Sequence, residues 1–521
     1  MDDSNQMPKG IPYIVANEFA ERFCYYGINT ILAVYMTQTL HFGQARATVW
    51  GHMFKVSAYF FPMLGAIISD VLWGKYRTIL TFSVAYMIGC AVLAFGPRTP
   101  EALFIGLGLM AFGTGGIKPC VSTNVGDQFT SRNQHLIERA FSYFYLSINV
   151  GSSISIWFCP VLLEKYGPMP AFGMPAAMMA IATVVFYLGR DKFAVVPPAG
   201  RAWLKEVFSL DGLRLVGRLW AVYLFVAVFW ALWDQSNGTT WTLQATSDLM
   251  DKTIGFGITM LPSQVQVVNG LFIVVMVPLF TFGIYPFCER FFRVTMLRKI
   301  GAGLFLAAGS FVIISWIESR IQAGYHVSVY WQMLAYVVLS AAEVLVSITA
   351  LEFSYKQAPL RLKSFVMALY LWCVALGNLG TAAVNEAMVR ELPGASVVAG
   401  AQTWVNLPAG TTMITGQKID FNEHTGITVR TVDGKDAPLA GTYLVAEVQG
   451  SRVRLMDNEH RLPIASSGEW NAAGGDVSTY KLVGPQYFNF FAYLMAGTGV
   501  LFIFVAMVYR ERTYVRADDG K

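Results

Sequence analysis

Residues 17–27 read NEFAERFCYYG, and the stretch that follows, INTILAVYM (28–36), is almost wholly apolar. Glu18, Glu21 and Arg22 therefore stand at the head of an apolar helix, where a charge at a bilayer centre costs roughly 3 kcal/mol or more. Helical spacing gives them a common direction. Glu18, Arg22 and Tyr25 stand at i, i+4 and i+7 on one face, with Glu21 on its edge. A charged stripe on a membrane span faces a protein interior or a water-filled path. This stretch therefore predicts a bundle of spans around a polar centre. The plainer reading, a local Glu–Arg pair that only fastens helices together, weakens as polar residues recur on other spans.

Composition agrees. The 521 residues are 55% hydrophobic and only 14% charged, with a mean hydropathy of +0.47, whereas soluble domains carry about a quarter charged residues. Apolar runs near spanning length predict twelve transmembrane helices, at roughly 12–38, 50–70, 78–96, 101–122, 142–163, 171–190, 215–240, 266–287, 297–318, 329–353, 364–390 and 486–509. The short polar N-terminus and the long, charged first run do not match a secretory signal peptide. With the N-terminus placed in the cytoplasm, the inner loops and C-terminal tail hold 21 Lys and Arg, from Lys75 to Lys521. The short outer loops hold 5: Arg46, Arg98, Lys165, Lys252 and Arg320. That asymmetry predicts cytoplasmic N- and C-termini. The net charge of +5 reads as membrane orientation, not as a nucleic-acid footprint.

Other chemistry is excluded by what the sequence lacks. Cys24, Cys90, Cys120, Cys159, Cys288 and Cys373 all fall in or at the ends of expected spans without CxxC spacing, which reads as apolar packing and not as a disulfide framework or zinc site. There is no GxxxxGK[ST] phosphate loop, so ATP drive is not expected. No nucleophile–base constellation or metal-ligand cluster stands out, so neither an enzyme nor a cofactor is expected.

The organisation reads as two halves. Residues 1–190 form an N-terminal six-helix bundle. Residues 191–214 form a basic cytoplasmic linker with a Pro-Pro-Ala-Gly break and a short amphipathic piece. Residues 215–390 and 486–521 form a C-terminal six-helix bundle. A 6+6 arrangement suits a transporter with a site at the midplane between the halves. Residues 391–485 differ: GITVRTV (426–432), GTYLVAEV (441–448) and SRVRLM (451–456) alternate in hydropathy, with turns expected at Asp433-Gly434 and Gln449-Gly450. This predicts a small extracytoplasmic β-rich domain between helices 11 and 12. It lacks cysteines and N-x-Ser/Thr sequons, and both a passive spacer and a binding module remain open for it.

Further ionisable residues expected inside spans are His52, Lys55, Lys118, Asp234, Glu343 and Glu352. His52, Lys55 and Tyr59 form a stripe on the second span. Lys118 sits in GTGGIKPC (113–120), where glycines allow close helix approach and Pro119 opens the helix ladder. Asp234 follows the aromatic run FWALW, and Glu343 has small neighbours in LSAAEVLVS (339–347). A buried carboxylate or a histidine can carry a proton near neutral pH. Fixed cations and a fixed anion can hold a zwitterion.

These motifs resemble the proton-dependent oligopeptide transporters, a family within the major facilitator superfamily. ExxERFxYYG stands at Glu18 to Gly27. GAIISDVLWGKYRT (65–78) is similar to the superfamily loop between spans two and three. GTGGIKPCVS, FSYFYLSINVG (141–151), FWALWDQ and LEFSYKQAP (351–359) are similar to family motifs in the same order. The resemblance implies an all-α membrane protein of the major facilitator fold. It implies that Arg22 and Lys118 hold a peptide carboxylate, and that Glu343, with Asn149 and Asn269, takes the amine. Tyr25, Tyr26, Tyr59 and Trp230 line side-chain pockets under the same reading. Glu18, Glu21 and Arg22 couple protons, His52 handles a proton as in animal members, and Asp234 stands opposite the first span as a gate. Three features depart from the family: Tyr370 stands where it often has Trp, with Trp372 two residues on. Lys55 matches no family residue and is assigned no function. The β-rich insert follows span eleven, whereas animal members carry an outer domain between spans nine and ten.

The function expected is therefore proton-coupled import of di- and tripeptides by alternating access, in the lipid bilayer of a bacterial inner membrane. Two alternatives are a proton-coupled carrier of nitrate or another small anion or metabolite, and a peptide receptor using the outer β domain.

Overall fold

The computed structural model describes residues 6–509, apart from 131–132, 134–135, 195–196, 199–207, 358–362, 423, 432–433 and 473. Several expected features lie outside the described residues. They are residues 195–196 and 199–207 of the 191–214 linker, Asp433 of one turn, Ala358-Pro359 of LEFSYKQAP, and the basic residues Arg132, Arg201, Lys205, Arg361 and Arg510 to Lys521.

The described residues contain twelve long helices: α1 Ile11–Val34, α2 Gln44–Ile67, α3 Lys75–Phe95, α4 Pro100–Asp127, α5 Ile137–Tyr166, α6 Pro168–Leu188, α7 Leu210–Ser236, α8 Val267–Pro278, α9 Met296–Gln322, α10 Val329–Glu343, α11 Lys363–Met388 and α12 Pro485–Val508. Four continue through wider π turns: α1 at Tyr35–Thr39, α2 at Ile68–Trp73, α8 at Leu279–Ile284 and α10 at Val344–Ile348. Eleven helical segments are long and apolar enough to cross a membrane. The twelfth, α1, is interrupted by Glu18, Glu21 and Arg22. Several helices begin before their apolar windows: α2 begins at Gln44, not near residue 50, and α5 at Ile137, not near 142. Hydrogen bonding in the backbone continues into polar helix ends, which hydropathy cannot see.

The helices bury two separate apolar cores. One, with Phe23, Tyr86, Phe172 and Phe186, belongs to α1–α6. The other, with Tyr223, Phe311, Tyr336 and Phe491, is drawn from α7–α12 together with Met63 of α2. The glycines of GTGGIKPC let α4 sit tight against its neighbours. A Cβ on Gly115 would lie 2.3 Å from the Cβ of Phe61 on α2, and one on Gly116 would lie 2.1 Å from the ring of Phe82 on α3. That close approach carries Lys118 into the bundle. The six thiols are free, and all but Cys288 are buried, which suits packing residues.

Between α11 and α12 the chain forms strands β1 Val389–Glu391, β2 Ser396–Val398, β3 Trp404–Asn406, β4 Lys418–Phe421, β5 Ile427–Arg430, β6 Asp436–Pro438, β7 Gly441–Gln449, β8 Arg452–Asp457, β9 Ser466–Gly468 and β10 Val477–Tyr480. A seven-stranded sheet runs β1-β10-β4-β7-β8-β3-β2 and a three-stranded one β6-β5-β9. The β7–β8 hairpin turns at Gly450-Ser451, one residue beyond the expected Gln449-Gly450, because Gln449 still pairs with Arg452, and Gly450 takes the left-handed φ of +59° that the turn requires. Alternation places Val405, Ile419, Val445, Val453 and Leu455 in a common apolar core.

This β domain caps the start of α2. The helix begins after Gly43, which has no side chain to cap it. Its first amides are satisfied from residues far along the chain: Gln44 N–H donates to Thr442 Oγ1 (2.8 Å) and Ala45 N–H to the Tyr480 hydroxyl (3.0 Å). Both hydroxyls donate in turn to Asp420, at 2.6 and 2.5 Å. A carboxylate thus sits behind a helix N-terminus, where the dipole favours negative charge.

Burial nevertheless pushes the Asp420 carboxyl up to about 6, against the opposing pull of Thr442, Tyr480 and Lys418. A pKa raised in the folded state contributes stability that is complete below the ordinary value near 4 and is lost as pH rises through about 6. Thermal melts across pH 4 to 8 should therefore show wild type losing about 3 kcal/mol relative to Asp420→Asn. Parallel pH profiles for the two proteins would contradict this.

Candidate functional site

Arg22 binds both acids of its motif. Its Nε lies 2.7 Å from Glu18 Oε1 and 2.9 Å from Glu21 Oε2. Both carboxylates are buried, and Glu21 also accepts from Thr114 Oγ1 on α4. One guanidinium thus serves two acids, and a proton added to either acid loosens its hold on Arg22. Beside this group, Lys118 Nζ sits 4.0 Å above the ring of Tyr25 and 4.3 Å above that of Tyr59. It is buried and has no hydrogen-bond partner among the described residues. Aromatic faces hold a cation without neutralising it, so Lys118 can still accept an anion. Tyr26 packs edge-on against Tyr25 with ring centroids 5.5 Å apart.

The opposite pole belongs to α7–α12. Glu343 stands at the end of α10, where the helix widens into its π turn. Its Oε2 accepts from Trp233 Nε1 (2.6 Å) and Asn269 Nδ2 (3.0 Å). Asn269 also donates to Ser340 Oγ (3.0 Å). Trp230 packs against Trp233 with centroids 5.2 Å apart. Tyr370, at the expected Trp position, bonds Ser347, while Trp372 stacks on Phe60 of α2 at 5.4 Å. Asn149 lies half-buried on α5.

A third group joins the two halves. His52 Nδ1 lies 2.6 Å from Asn378 Oδ1, and Asn378 Nδ2 donates to Asp234 Oδ2 at 2.5 Å. Lys55 Nζ stands 3.4 Å from Asp234 Oδ1 and donates to the carbonyls of Asp234 (2.6 Å) and Asn237 (2.7 Å). The charge partner of Asp234 is Lys55 on the second span, and α1 reaches this corner through Asn29, which donates to Asn237 (3.1 and 3.2 Å). The placement expected for Glu352 is corrected: it is exposed and paired with Lys356, one turn along the surface, because its stretch of helix ends outside the packed interior.

The POT family model matches residues 76–210 and 202–405, more than half of the chain. The chain belongs to the POT family. Among curated relatives of this POT family chain, Peptide transporter family 1 of Drosophila melanogaster is 39% identical over 365 residues, covering 61% of this chain and 49% of that protein. Solute carrier family 15 member 2 of Danio rerio is 37% identical over 361 residues, covering 60% and 50%. The chain thus spans about half the length of the curated relatives it matches. Among solved structures, that of the POT family transporter PepTSo aligns with a TM-score of 0.68 at 32% identity, covering 73% of this chain and 90% of that one. The fold is accordingly the twelve-helix, two-bundle architecture of POT family transporters, with a β-rich region added. The POT family is one of transporters and not of enzymes.

The POT family match begins at residue 76, so NEFAERFCYYG lies outside it. Three contributors escaped the sequence reading: Thr114, Trp233 and Asn378. Lys55 was named on the His52–Tyr59 stripe without a function, and its partner, a nearby acid as a buried cation requires, is Asp234. Thr114, Trp233 and Asn378 are neutral, and nothing in their spacing marks them.

Proposed function

We propose that this chain is a proton-coupled symporter that imports di- and tripeptides by alternating access of its two halves. One observation carries the reading: a buried cation, Lys118, without a hydrogen-bond partner among the described residues on one half, and a carboxylate, Glu343, held by Trp233 and Asn269 on the other. A short peptide with a free carboxylate and a free amine matches that pair of poles. Arg22 and Lys118 would take the carboxylate, and Glu343 and Asn269 the amine, with Asn149 of α5 contributing from the other bundle. Tyr25, Tyr26, Tyr59 and Trp230 would supply aromatic walls for side chains of varied shape. The name of one curated relative, Peptide transporter family 1, supports the cargo.

Coupling follows from the shared guanidinium. With both acids ionised, Arg22 is held by Glu18 and Glu21; a proton on one acid frees it to bind cargo. Protonation of Asp234 would likewise weaken its hold on Lys55 and so the bond between the halves, favouring reorientation, with His52 beside it through Asn378 as a proton-handling group. The termini and the 191–214 linker are assigned to the cytoplasm, the β domain to the outside, and the membrane to a bacterial inner membrane.

Acid-driven uptake of dialanine into proteoliposomes tests the reading. Accumulation should require an inward proton gradient and should collapse when that gradient is discharged. Folded protein that moves no dialanine under such a gradient would sink the proposal.

A further inference from the structure

The β domain does more than occupy a loop, because it touches both halves of the bundle at one end. Its attachment to α7–α12 is covalent at both of its ends. It is reinforced where Lys481 N–H donates to Met388 O (2.8 Å) and Lys481 Nζ to Ala387 O (2.7 Å). On the loop before α8, Asp248 N–H donates to Glu459 O (3.1 Å), with His460 beside Asp248 at 3.9 Å. Its grip on α1–α6 is non-covalent and specific. Thr442 and Tyr480 cap α2, Lys418 Nζ donates to Gln44 Oε1 (2.8 Å), and Gln38 at the end of α1 donates to Glu459 (3.1 and 3.2 Å). The Asp420 carboxylate lies directly on Gly43, where a Cβ would come within 2.0 Å of Oδ2.

The same end of the bundle is where the halves hold each other directly. Asn29 bonds Asn237, Gln266 Nε2 donates to Thr30 Oγ1 (2.5 Å), and Gln264 Nε2 donates to Trp157 O (2.8 Å). A carrier that rocks its halves apart at this end breaks these contacts. A body fixed to one half cannot keep its hold on the other through that motion.

We propose that the β domain is a built-in clamp that favours the state closed at its own end, and that its hold on the start of α2 is released in every transport cycle. This rests on the alternating-access reading above. The clamp's partner is a segment of the same chain, residues 38–45, and the joint consists of the helix cap and the Gly43–Asp420 contact. Capping is well suited to a reversible joint. The amides it satisfies are ones that a helix end leaves without intrahelical partners, so water can replace Thr442 and Tyr480 without unwinding α2.

A disulfide across the joint tests this. The Cβ position of Gly43 lies 3.0 Å from the Cβ of Asp420, so a backbone shift of under about 1 Å reaches the separation of about 3.8 Å that a disulfide spans, and Gly43 has an ordinary φ of −59°. In Gly43→Cys/Asp420→Cys, oxidation should reduce dialanine uptake at least twentyfold, and reductant should restore it. Uptake unchanged by complete cross-linking overturns the clamp. A second arm needs no cargo: the amides of Gln44 and Ala45 should exchange hydrogen at least tenfold faster in Thr442→Ala/Tyr480→Phe than in wild type. Equal exchange removes the grip and with it the proposal. If wild type itself moves no peptide, the transport reading falls, and the exchange arm alone decides whether the grip exists.

Discussion

Asp234→Asn should destabilise the protein by about 3–5 kcal/mol, because it strands a fully buried ammonium. Lys55 has no side-chain exposure and Asp234 only 3%. In the variant, Lys55 would keep the carbonyls of Asp234 and Asn237 but lose its counter-charge. Removing one partner of a buried pair costs far more than removing both, so adding Lys55→Met should recover most of the loss. Thermal melting in detergent reads both effects. The single variant should melt roughly 5 °C or more below wild type, and the double variant close to it. A single variant as stable as wild type would mean that the pair is not an ion pair. Asn378 gives a second readout. It bridges Asp234 to His52, so the loss should also loosen the contact between α2 and α11.

Lys118→Met should have the opposite profile. An ammonium lodged over two tyrosine rings without a hydrogen-bond partner is costly in a membrane, by roughly 3 kcal/mol at mid-depth. Removing it should leave stability unchanged or raise it by about 1–2 kcal/mol. Uptake of dialanine should nonetheless fall at least a hundredfold, since the cation that meets the cargo's carboxylate is gone. The combination discriminates: a residue kept for packing would lose stability when replaced and leave transport largely intact. If Lys118→Met transports normally, the assignment of the carboxylate pole is wrong.

Much of this architecture was readable before any coordinates. Glu18, Arg22 and Tyr25 are related by helix geometry alone, and the structure does bring Arg22 onto both acids. Spans were readable because lipid requires a nearly continuous apolar run. Their ends were not, since Gln44 is as helical as Phe54 without being apolar. Within the insert, β7 and β8 announced themselves by alternation around a glycine turn. β1, β2 and β9 are three residues each, too short for a period to register. The site divides along the same line. Charges in apolar surroundings are conspicuous, so Lys118, Asp234 and Glu343 could be named. Their pairing depends on which helices are neighbours, and that information is three-dimensional. Lys55 and Asp234 are far apart in the chain and adjacent only because α2 and α7 meet.

The stem of the β domain has a consequence of its own. Strand β1 leaves α11 without an intervening loop, and β10 returns to α12 beside it, with Val389 opposite Tyr480 and Glu391 opposite Ser478. Entry and exit are therefore a single antiparallel rung apart, about 5 Å. A domain whose ends meet in this way is a portable cassette. It could be acquired or discarded at one hairpin without altering the path of either flanking helix, and α11 and α12 offer a ready graft point for any module whose own termini lie equally close together.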